Sequence, residues 1–366
     1  MKKNLLLLIL LLLLFIPSCS RKRIAYKTLY LDEAFSIMPT VTIMDHEETL
    51  NNIDITNDLN NILQELDLKF NVHDSNSLIN EVNRNSGIQE TTVDDEFIYI
   101  LKEAIKISIE TKKQEKSLYD VTIYPIWKEW NFTDNYYIYN NYSKVPTQDI
   151  IKQKLPLVNF QNIIINENNK TIFLKEKGMM IDLGSIVKGY AADKIYNYLY
   201  EHSLYNCLID IGGNIITMGK NIGTEENWKA GILMPYSYDT EIGYIKTNEQ
   251  KETLVTSGIY ERYIVHLNKQ TNKEEIYHHI LNPLTGYPED NELLSVTIIT
   301  NNSLKADGYS TAIFLMGLNE GIKFVNNNES IEAIFITKNK EIYLSANIKN
   351  RFIVNEEVLN QGYVLK

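Results

Sequence analysis

A long series of short β-like runs after residue 160 is the feature that most constrains the fold of this chain. Residues 162–165 and 171–174 flank a polar stretch and predict a hairpin. Further β-like runs cover residues 179–183, 207–211, 228–233, 253–256, 263–267, 295–300, 331–337 and 341–344. Two helical patterns interrupt them, one starting near Gly184 and the other near Asp307. Together they predict α+β architecture, with mostly antiparallel sheets and packed helices.

The first half of the chain contains two helical patterns and one irregular segment. Residues 50–70 and 96–112 carry apolar side chains at helical spacing, which predicts two helices that each pack by one face. Residues 131–149 are rich in Asn, Tyr and Asp and lose this periodicity. They predict a long surface loop.

The amino terminus has the pattern of an export signal. Lys2 and Lys3 precede a twelve-residue apolar run at 5–16, which is shorter than the about 20 residues that a membrane span needs. The small residue before Cys19 resembles the lipobox of bacterial lipoproteins. We therefore expect a signal peptide at 1–18, a lipidated Cys19, a tether at 19–35, and a lipoprotein anchored to a membrane, extracytoplasmic on the periplasmic face of the inner membrane. An ordinary secretory signal that is cut elsewhere, with Cys19 incidental, is the alternative.

Charge and cysteine content exclude two classes of protein. The formal net charge is −11 and the isoelectric point is about 5.2, which opposes binding to nucleic acid because phosphate would be repelled at most faces. The only other cysteine is Cys207, so lipidation of Cys19 would leave no intramolecular disulfide. The apolar run around Cys207 predicts a small core residue.

The segment 182–190 has the features of an anion site. A buried strand is expected to end in Asp182, and a glycine follows before a helix that carries Lys188 in its first turn. Free backbone N–H groups at a helix start, together with a nearby ammonium, suit a phosphate group. The alternative is a plain strand–turn–helix connection in which Ser185 caps the helix.

A second segment, 306–311, has the features of a magnesium site. Asp307 and Thr311 are four residues apart, which places a carboxylate and a hydroxyl on one face of a helix start. Hard oxygen ligands of this kind suit Mg²⁺, which completes its octahedron with water and substrate phosphate. The alternative is that Asp307 caps its own helix while Thr311 packs.

Two further segments supply candidate groups. His278 and His279 precede an apolar pair and a tight turn, so a histidine at a cleft edge could act as a general base. Adjacent residues in extended chain point in opposite directions, and at most one should therefore face the site. Residues 118–122, which lead to aromatic residues, could hold a flat ring or could simply pack as a core loop.

Taken together, these motifs resemble the ApbE family of flavin transferases, the FAD:protein FMN transferases. The family pattern of Asp-Leu-Gly followed by Lys-Gly-Tyr-Ala and Asp is present at 182–184, 188–191 and 193, and its Thr-Ser-Gly is present at 256–258. The His-Ile-x-x-Pro-x-Thr-Gly pattern is present at 279–286. Ala-Asp at 306–307 is followed by Ser-Thr-Ala at 310–312. The likeness runs from about residue 36 to the carboxyl terminus, which implies one ApbE-like flavin transferase domain at 36–366 with a T-fold-type architecture.

The resemblance implies roles for individual positions. The residues implied to bind FAD are Met38, His73, Leu118, Tyr119, Asp120, Asp182, Lys188, Thr256, Ser257, Gly258 and Leu281. Main-chain carbonyls of Ser185 and Ser310 and side chains of Asp307 and Thr311 are implied to bind Mg²⁺, and His279 is implied to be the base. The implied reaction is Mg²⁺-dependent transfer of FMN from FAD to a Thr or Ser hydroxyl of an exported electron-transfer protein, with release of AMP.

The sequence departs from the family pattern at three positions. Pro39 stands where the family has the glycine of Met-Gly-Thr, Asn282 stands where it has an aspartate, and His73 stands where it usually has a tyrosine or another aromatic residue. The same residues would support two other functions. One is a Mg²⁺-dependent FAD pyrophosphatase that gives FMN and AMP, and the other is a non-catalytic lipoprotein that binds flavin.

Overall fold

The structure, a computed structural model, describes residues 23–113, 116–133, 142–237 and 239–366. The expected signal peptide and Cys19 lie outside these residues, as does part of the expected loop at 131–149. Within the described ranges, no helix combines the length and the apolar character needed to cross a bilayer.

The elements of the fold are as follows. The strands are β1 (Ile24–Tyr30), β2 (Thr40–His46), β3 (Thr91–Thr92), β4 (Lys112–Lys113), β5 (Lys116–Ser117), β6 (Ile163–Asn166), β7 (Thr171–Leu174), β8 (Cys207–Ile211), β9 (Asn214–Met218), β10 (Lys220–Asn221), β11 (Glu226–Asn227), β12 (Lys229–Leu233), β13 (Glu241–Lys246), β14 (Glu252–Gly258), β15 (Tyr263–Asn268), β16 (Lys273–His278), β17 (Leu293–Thr300), β18 (Glu332–Thr337), β19 (Glu341–Leu344), β20 (Phe352–Val354) and β21 (Val364–Leu365). The α-helices are α1 (Glu47–Asn52), α2 (Thr56–Phe70), α3 (Leu78–Arg84), α4 (Asp95–Glu110), α5 (Tyr124–Trp130), α6 (Gln148–Lys154), α7 (Val187–Glu201), α8 (Ser303–Asn326, with a break at Gly317) and α9 (Glu356–Asn360). Short 3₁₀ turns lie at Val121–Ile123, Leu155–Leu157, Phe160–Asn162 and Ala346–Ile348.

A nine-stranded sheet forms the centre of the molecule. Its strand order is β1-β2-β8-β9-β14-β17-β18-β19-β21, and the parallel pair β19–β21 is the exception in an otherwise antiparallel ladder. Helices α7 and α8 pack together on one face of this sheet. The three-stranded sheet β12-β13-β20 covers part of the other face. The α+β class with mostly antiparallel sheets is therefore confirmed.

Central strands are apolar on both faces because both faces are covered. In β17, Val296 and Ile298 belong to the core that lies under the helices, whereas Ile299 belongs to the core shared with the small sheet. A third apolar cluster surrounds Trp130 and joins α5 and α6 to the separate hairpin β15–β16. Cys207 is unpaired and fully buried in the main core, which confirms the predicted core position.

The predicted hairpin and most of the predicted strands are present. Residues 163–166 pair with 171–174, and β8, β12, β14, β15, β17, β18 and β19 match their runs to within three residues at each end. The predicted strand at 179–183 is wrong. Its extended backbone is bound by a side chain instead, because the amide of Asn83 both donates to and accepts from the backbone of Ile181.

Two predicted boundaries need correction. Residues 24–30 form strand β1, which pairs along its whole length with β2, so the folded body begins before residue 36 and the expected tether at 19–35 is too long. Helix α8 begins at Ser303, one turn before Asp307, because the Asn302 side chain accepts from the N–H of Lys305 at 2.8 Å. Asp307 therefore does not cap its own helix.

Candidate active site

The structure brings distant parts of the chain to one cavity of about 940 Å³. Its walls come from the loops after α2 and before α5, the turn that leads into α7, the start of α8, and the segments next to β14 and β16. The expected site residues that line it are His73, Tyr119, Asp120, Asp182, Ser185, Lys188, Thr256, Ser257, His279, Leu281, Asp307 and Thr311.

Asp307 is held in place by the start of the neighbouring helix. Its Oδ2 accepts a hydrogen bond of 2.9 Å from the N–H of Gly189, one of the first N–H groups of α7 that have no partner within that helix. The glycine is required there, because an added Cβ would lie 2.1 Å from the carbonyl oxygen of Ser303. Burial raises the pKa of the Asp307 carboxyl, and the nearby charge of Lys188 acts in the opposite direction.

Helices α7 and α8 cap each other. Asp307 of α8 binds the start of α7, and Asp193 of α7 binds the start of α8. Asp193 accepts hydrogen bonds from the N–H groups of Ser303 and Leu304, at 3.1 and 3.0 Å. Lys251 neutralises Asp193 through an ion pair of 2.6 Å. Each carboxylate therefore stabilises the positive end of the other helix.

Three hydroxyl groups cluster near the start of α8, those of Ser257, Ser310 and Thr311. The Oγ of Ser257 lies 2.7 Å from the Oγ of Ser310 and 3.2 Å from the Oγ1 of Thr311. Ser310 also donates to the main-chain carbonyl of Asp307 at 2.8 Å. This part of α8 therefore offers the Asp307 carboxylate and several neutral oxygens, and no cluster of three or more His, Cys, Asp or Glu side chains in the described parts of the chain could hold a metal. Such a set of hard oxygens could hold Mg²⁺ but offers no soft ligand.

His279 is oriented by the backbone. Its Nδ1 and its main-chain N–H both bind the carbonyl oxygen of Arg262, at 3.0 and 3.1 Å. Since a carbonyl only accepts, Nδ1 carries the proton and Nε2 keeps its lone pair. Burial, assisted by Arg262, lowers the pKa of His279 to about 3. The ring is therefore neutral at pH 7.

His278 points away from the cavity, as expected for the neighbour of a residue that faces it. Its Nε2 lies 2.9 Å from the carbonyl of Glu289, and its ring meets Phe314 edge to face. Burial lowers the pKa of His278 to about 4. His278 is thus a core residue, and His279 alone of the pair lines the cavity.

The loop at 118–122 is fastened to the turn before α7. Tyr119 Oη lies 2.9 Å from Ser185 Oγ, and the carbonyl of Val121 accepts from the N–H of Asp182 at 2.9 Å. The Asp120 carboxylate accepts from the backbone N–H groups of Thr122 and Phe160 at 2.9 and 3.0 Å. This side chain therefore shapes the loop as well as lining the cavity.

Four expected site residues do not line the cavity. Leu118 and Gly258 are buried behind it, Ser310 is fully buried beside Ser257, and Met38 has 67% of its surface exposed. The residues that immediately precede Met38 do line the cavity: Phe35, Ser36 and Ile37. Asn282, the departure from the family pattern, folds its own turn by accepting from the N–H of Leu284 and donating to Glu289.

Several charged residues of the cavity were not predicted from the sequence, namely Asp210, Lys229, Glu241, Glu261 and Arg262. Glu261 and Arg262 line the cavity between β14 and β15. The surrounding protein atoms raise the pKa of Glu261 to about 7, against the opposing effect of Lys188. The position of Glu261 and Arg262 just after the Thr-Ser-Gly motif is the only sequence signal that could have indicated these two residues. Trp127, whose ring lies 6.0 Å from that of His73, adds an aromatic wall.

Comparisons with known proteins agree with this arrangement. The model of the ApbE family matches residues 36–335. The FAD:protein FMN transferase of Klebsiella pneumoniae is 34% identical over 294 residues, which cover 80% of this chain and 84% of that protein. The FAD:protein FMN transferase of Treponema pallidum is 27% identical, over 83% of this chain and 82% of that protein.

Solved structures share the fold. The crystal structure of the ApbE protein from Thermotoga maritima superposes with a TM-score of 0.74 at 28% identity, covering 89% of this chain and 99% of that one. The flavin transferase ApbE from Vibrio cholerae superposes with a TM-score of 0.72 at 21% identity, covering 89% of this chain and 100% of that one. The extent of the family match and the identity to its curated relatives show that this chain belongs to the ApbE family of transferases.

Proposed function

We propose that this protein is a Mg²⁺-dependent FAD:protein FMN transferase, which moves FMN from FAD to a Thr or Ser hydroxyl of an exported electron-transfer protein and releases AMP. The observation that carries the proposal is the meeting of Asp307, Lys188 and His279 in one cavity. A buried carboxylate, an ammonium and a neutral imidazole supply the metal ligand, the phosphate contact and the base that a transfer of this kind needs.

The residues around Asp307 fit a magnesium ion. One oxygen of its buried carboxylate accepts from the N–H of Gly189, and burial raises the pKa of this carboxyl, so that a nearby cation would stabilise its charged form. Thr311 and the carbonyl groups of Ser185 and Ser310 would complete the protein ligands. A bound Mg²⁺ would supply charge neutralisation to the diphosphate and to the departing AMP.

The chain's own residues then have separate tasks. Nε2 of His279 accepts the proton of the incoming hydroxyl, whose oxygen forms a bond to the phosphorus next to riboflavin. The bond between that phosphorus and the bridging oxygen breaks, and AMP leaves with the oxygen. Lys188 holds the diphosphate at the start of α7, and the aromatic wall at Trp127 and His73 covers the flavin ring.

The decisive experiment incubates the purified protein with FAD and Mg²⁺, with and without a threonine-bearing acceptor domain. We expect FMN to appear on one residue of the acceptor by mass spectrometry, with one AMP released for each transfer. Rapid AMP release that does not depend on the acceptor would instead identify an FAD pyrophosphatase. Binding of FAD without any AMP release would identify a flavin-binding protein.

Substitution of Asp307 tests the metal assignment. Because the carboxylate also caps α7, Asp307→Asn is the suitable variant, since the amide oxygen still accepts from Gly189 while the charge is lost. We expect Mg²⁺-dependent turnover to fall by about 100-fold or more, with FAD still bound in a fluorescence titration. Thr311→Val is the companion variant, which removes a hydroxyl that caps no helix. Wild-type turnover in both variants would refute the metal site.

We further propose that the mature protein begins at a lipidated Cys19 and is held at the periplasmic face of the inner membrane. The apolar run and the cysteine at 19 support this proposal. Since β1 starts at Ile24, only residues 20–23 would separate the lipid from the folded body. Four residues span at most about 14 Å, so the enzyme would lie close to the bilayer surface.

A further inference from the structure

The cavity has one wall that neither the metal ligands nor the base explains. Every residue of strand β12 lines it, from Lys229 to Leu233. Strand β12 lies at the edge of the small sheet, whose order is β12-β13-β20. Among the described residues, it pairs with β13 on one side and with no strand on the other. The free side of a strand therefore runs along the same cavity that contains Asp307 and His279.

The hydrogen-bonding groups on that free side can be assigned. The carbonyl of Trp228 accepts from the N–H of Thr247, and the N–H of Met234 donates to the carbonyl of Thr240, so residues 228 and 234 both turn toward β13. Direction alternates along an antiparallel strand. The register of the pair shifts between Ile232 and Leu233, but residues 228 and 234 lie on either side of this shift and are an even number of residues apart, so the alternation along β12 is kept. The N–H and C=O groups of the intervening odd-numbered residues therefore turn away from β13, and these residues are Lys229, Gly231 and Leu233.

The side chains of β12 fix this edge and leave room beside it. Ala230 and Ile232 are buried in the core shared with the main sheet, which holds the strand in place. At the centre of the free edge, Gly231 has no side chain of its own, and the Glu241 carboxylate of β13 lies over its Cα, where an added Cβ would be 2.0 Å from Oε1. An unpaired edge of this kind is a template for one more strand.

We infer that β12 is the docking edge for the acceptor, whose hydroxyl-bearing segment adds to it as an extended strand. This inference rests on the proposed function, because the proposed second substrate is a polypeptide hydroxyl that has to enter this cavity. A strand of five residues offers about 17 Å of pairing length. Main-chain hydrogen bonds to Lys229, Gly231 and Leu233 would hold the segment in register while its Thr or Ser reaches the diphosphate.

Two proline substitutions test the edge without breaking the pair β12–β13. Lys229→Pro and Leu233→Pro each remove an N–H that points away from β13, at positions where an edge strand accepts proline. Lys229→Ala and Leu233→Ala are the matched controls, because they shorten the same side chains and keep the N–H. We expect kcat/KM for the acceptor to fall by about tenfold or more in the proline variants and by about twofold or less in the alanine variants.

The readouts separate this inference from the proposed function. FAD affinity and the slow release of AMP to water should match wild type in all four variants. An equal loss of FAD affinity in the proline variants would mean that β12 contacts FAD, and unchanged transfer in folded proline variants would mean that the edge is not used. Either result overturns the docking edge alone. Failure of wild-type protein to modify any acceptor would overturn the proposed function itself.

A second measurement uses wild-type enzyme and therefore does not depend on the folding of any variant. Synthetic peptides with one central threonine are prepared with a single N-methyl group at successive backbone positions. If the peptide pairs with β12, methylation should lower the rate of FMN transfer at every second position, because alternate N–H groups face the strand. Rates that show no two-residue period would contradict the pairing.

Discussion

Burial sets the charge state of the groups that surround the cavity. It raises the pKa of the Asp307 and Asp182 carboxyls and lowers that of His279, so each group is moved toward its neutral form. For His279 this is useful, since a base has to be neutral before it accepts a proton. For Asp307 the cost of burying its charge would be offset by a bound cation, which is the role proposed for Mg²⁺.

Removal of the imidazole tests the role of the base. We expect His279→Ala to slow FMN transfer by about 100-fold or more while FAD affinity changes little. His278→Gln is the control, because the ring of His278 lies outside the cavity. An equal loss of transfer and of FAD affinity would make His279 a binding residue. Because the folded pKa is about 3, the free enzyme keeps the ring neutral, and kcat/KM should show no histidine titration between about pH 5 and pH 8.

The control for the pH profile is Glu261→Gln, measured in parallel. Glu261 has a pKa of about 7 and would otherwise add its own titration in this range. A fall in kcat/KM through about pH 6.5 that persists in Glu261→Gln would show that the base has an ordinary histidine pKa. In that case the Arg262 carbonyl would orient the His279 ring, but the ring would not be desolvated as expected.

At the scale of elements, periodicity located many of the strands but missed others that also bury alternate residues, such as β2. The strand at 341–344 and the hairpin at 163–174 follow from alternation alone. Periodicity gave a wrong strand at 179–183, where the Asn83 side chain takes the place of a neighbouring strand and binds the extended backbone. That the separate motifs meet at one cavity could be inferred only through family resemblance. The crossing of α7 and α8 depends on contacts between residues more than 100 positions apart.

The crossing of α7 and α8 gives a prediction at this scale. In Gly189→Ala, the new methyl group would lie 2.1 Å from the Ser303 carbonyl and 2.8 Å from the Cβ of Asp307. The helices would have to separate, so we expect a loss of about 1–3 kcal/mol in unfolding free energy and weaker Mn²⁺ binding measured by electron paramagnetic resonance. The control is Gly223→Ala, at an exposed turn where the nearest atom to an added methyl group is Oδ1 of the Asn221 side chain, at 3.2 Å. Unchanged stability and metal affinity would contradict the tight crossing.

At the scale of the whole molecule, the groups to which we assign catalytic roles are carried by separate parts. Asp307 lies on α8, which packs in the main core, whereas His279 follows β16 of a hairpin outside the main sheet. The hairpin is joined to α5 and α6 through the aromatic cluster, in which Trp130 Nε1 donates to the carbonyl of Gly286 at 2.9 Å. The cavity is the space between these parts, and β12 borders it on the side of the core shared by the small sheet and the main sheet.

The position of the molecule in the cell gives the last prediction. Cys19→Ser should release the protein from the membrane fraction into the periplasm, because a thiol is needed for lipid attachment. Activity toward a soluble acceptor should match wild type, since the folded body begins at β1. Lipid on Cys19 is measured by mass spectrometry of the amino-terminal peptide. An unmodified peptide, or one that begins elsewhere, would favour an ordinary secretory signal.

The mutual capping of α7 and α8 changes how sequences of this family should be interpreted. Asp307 accepts a hydrogen bond from Gly189 and so caps α7, whether or not it binds an ion. Selection could therefore retain it in a relative that has lost catalysis. The hydroxyl of Thr311 has no such structural contact with a helix end, since it lies 3.2 Å from the hydroxyl of Ser257 within the site. A family member that keeps the aspartate at position 307 but has lost the threonine at position 311 is therefore the clearer candidate for an inactive homologue.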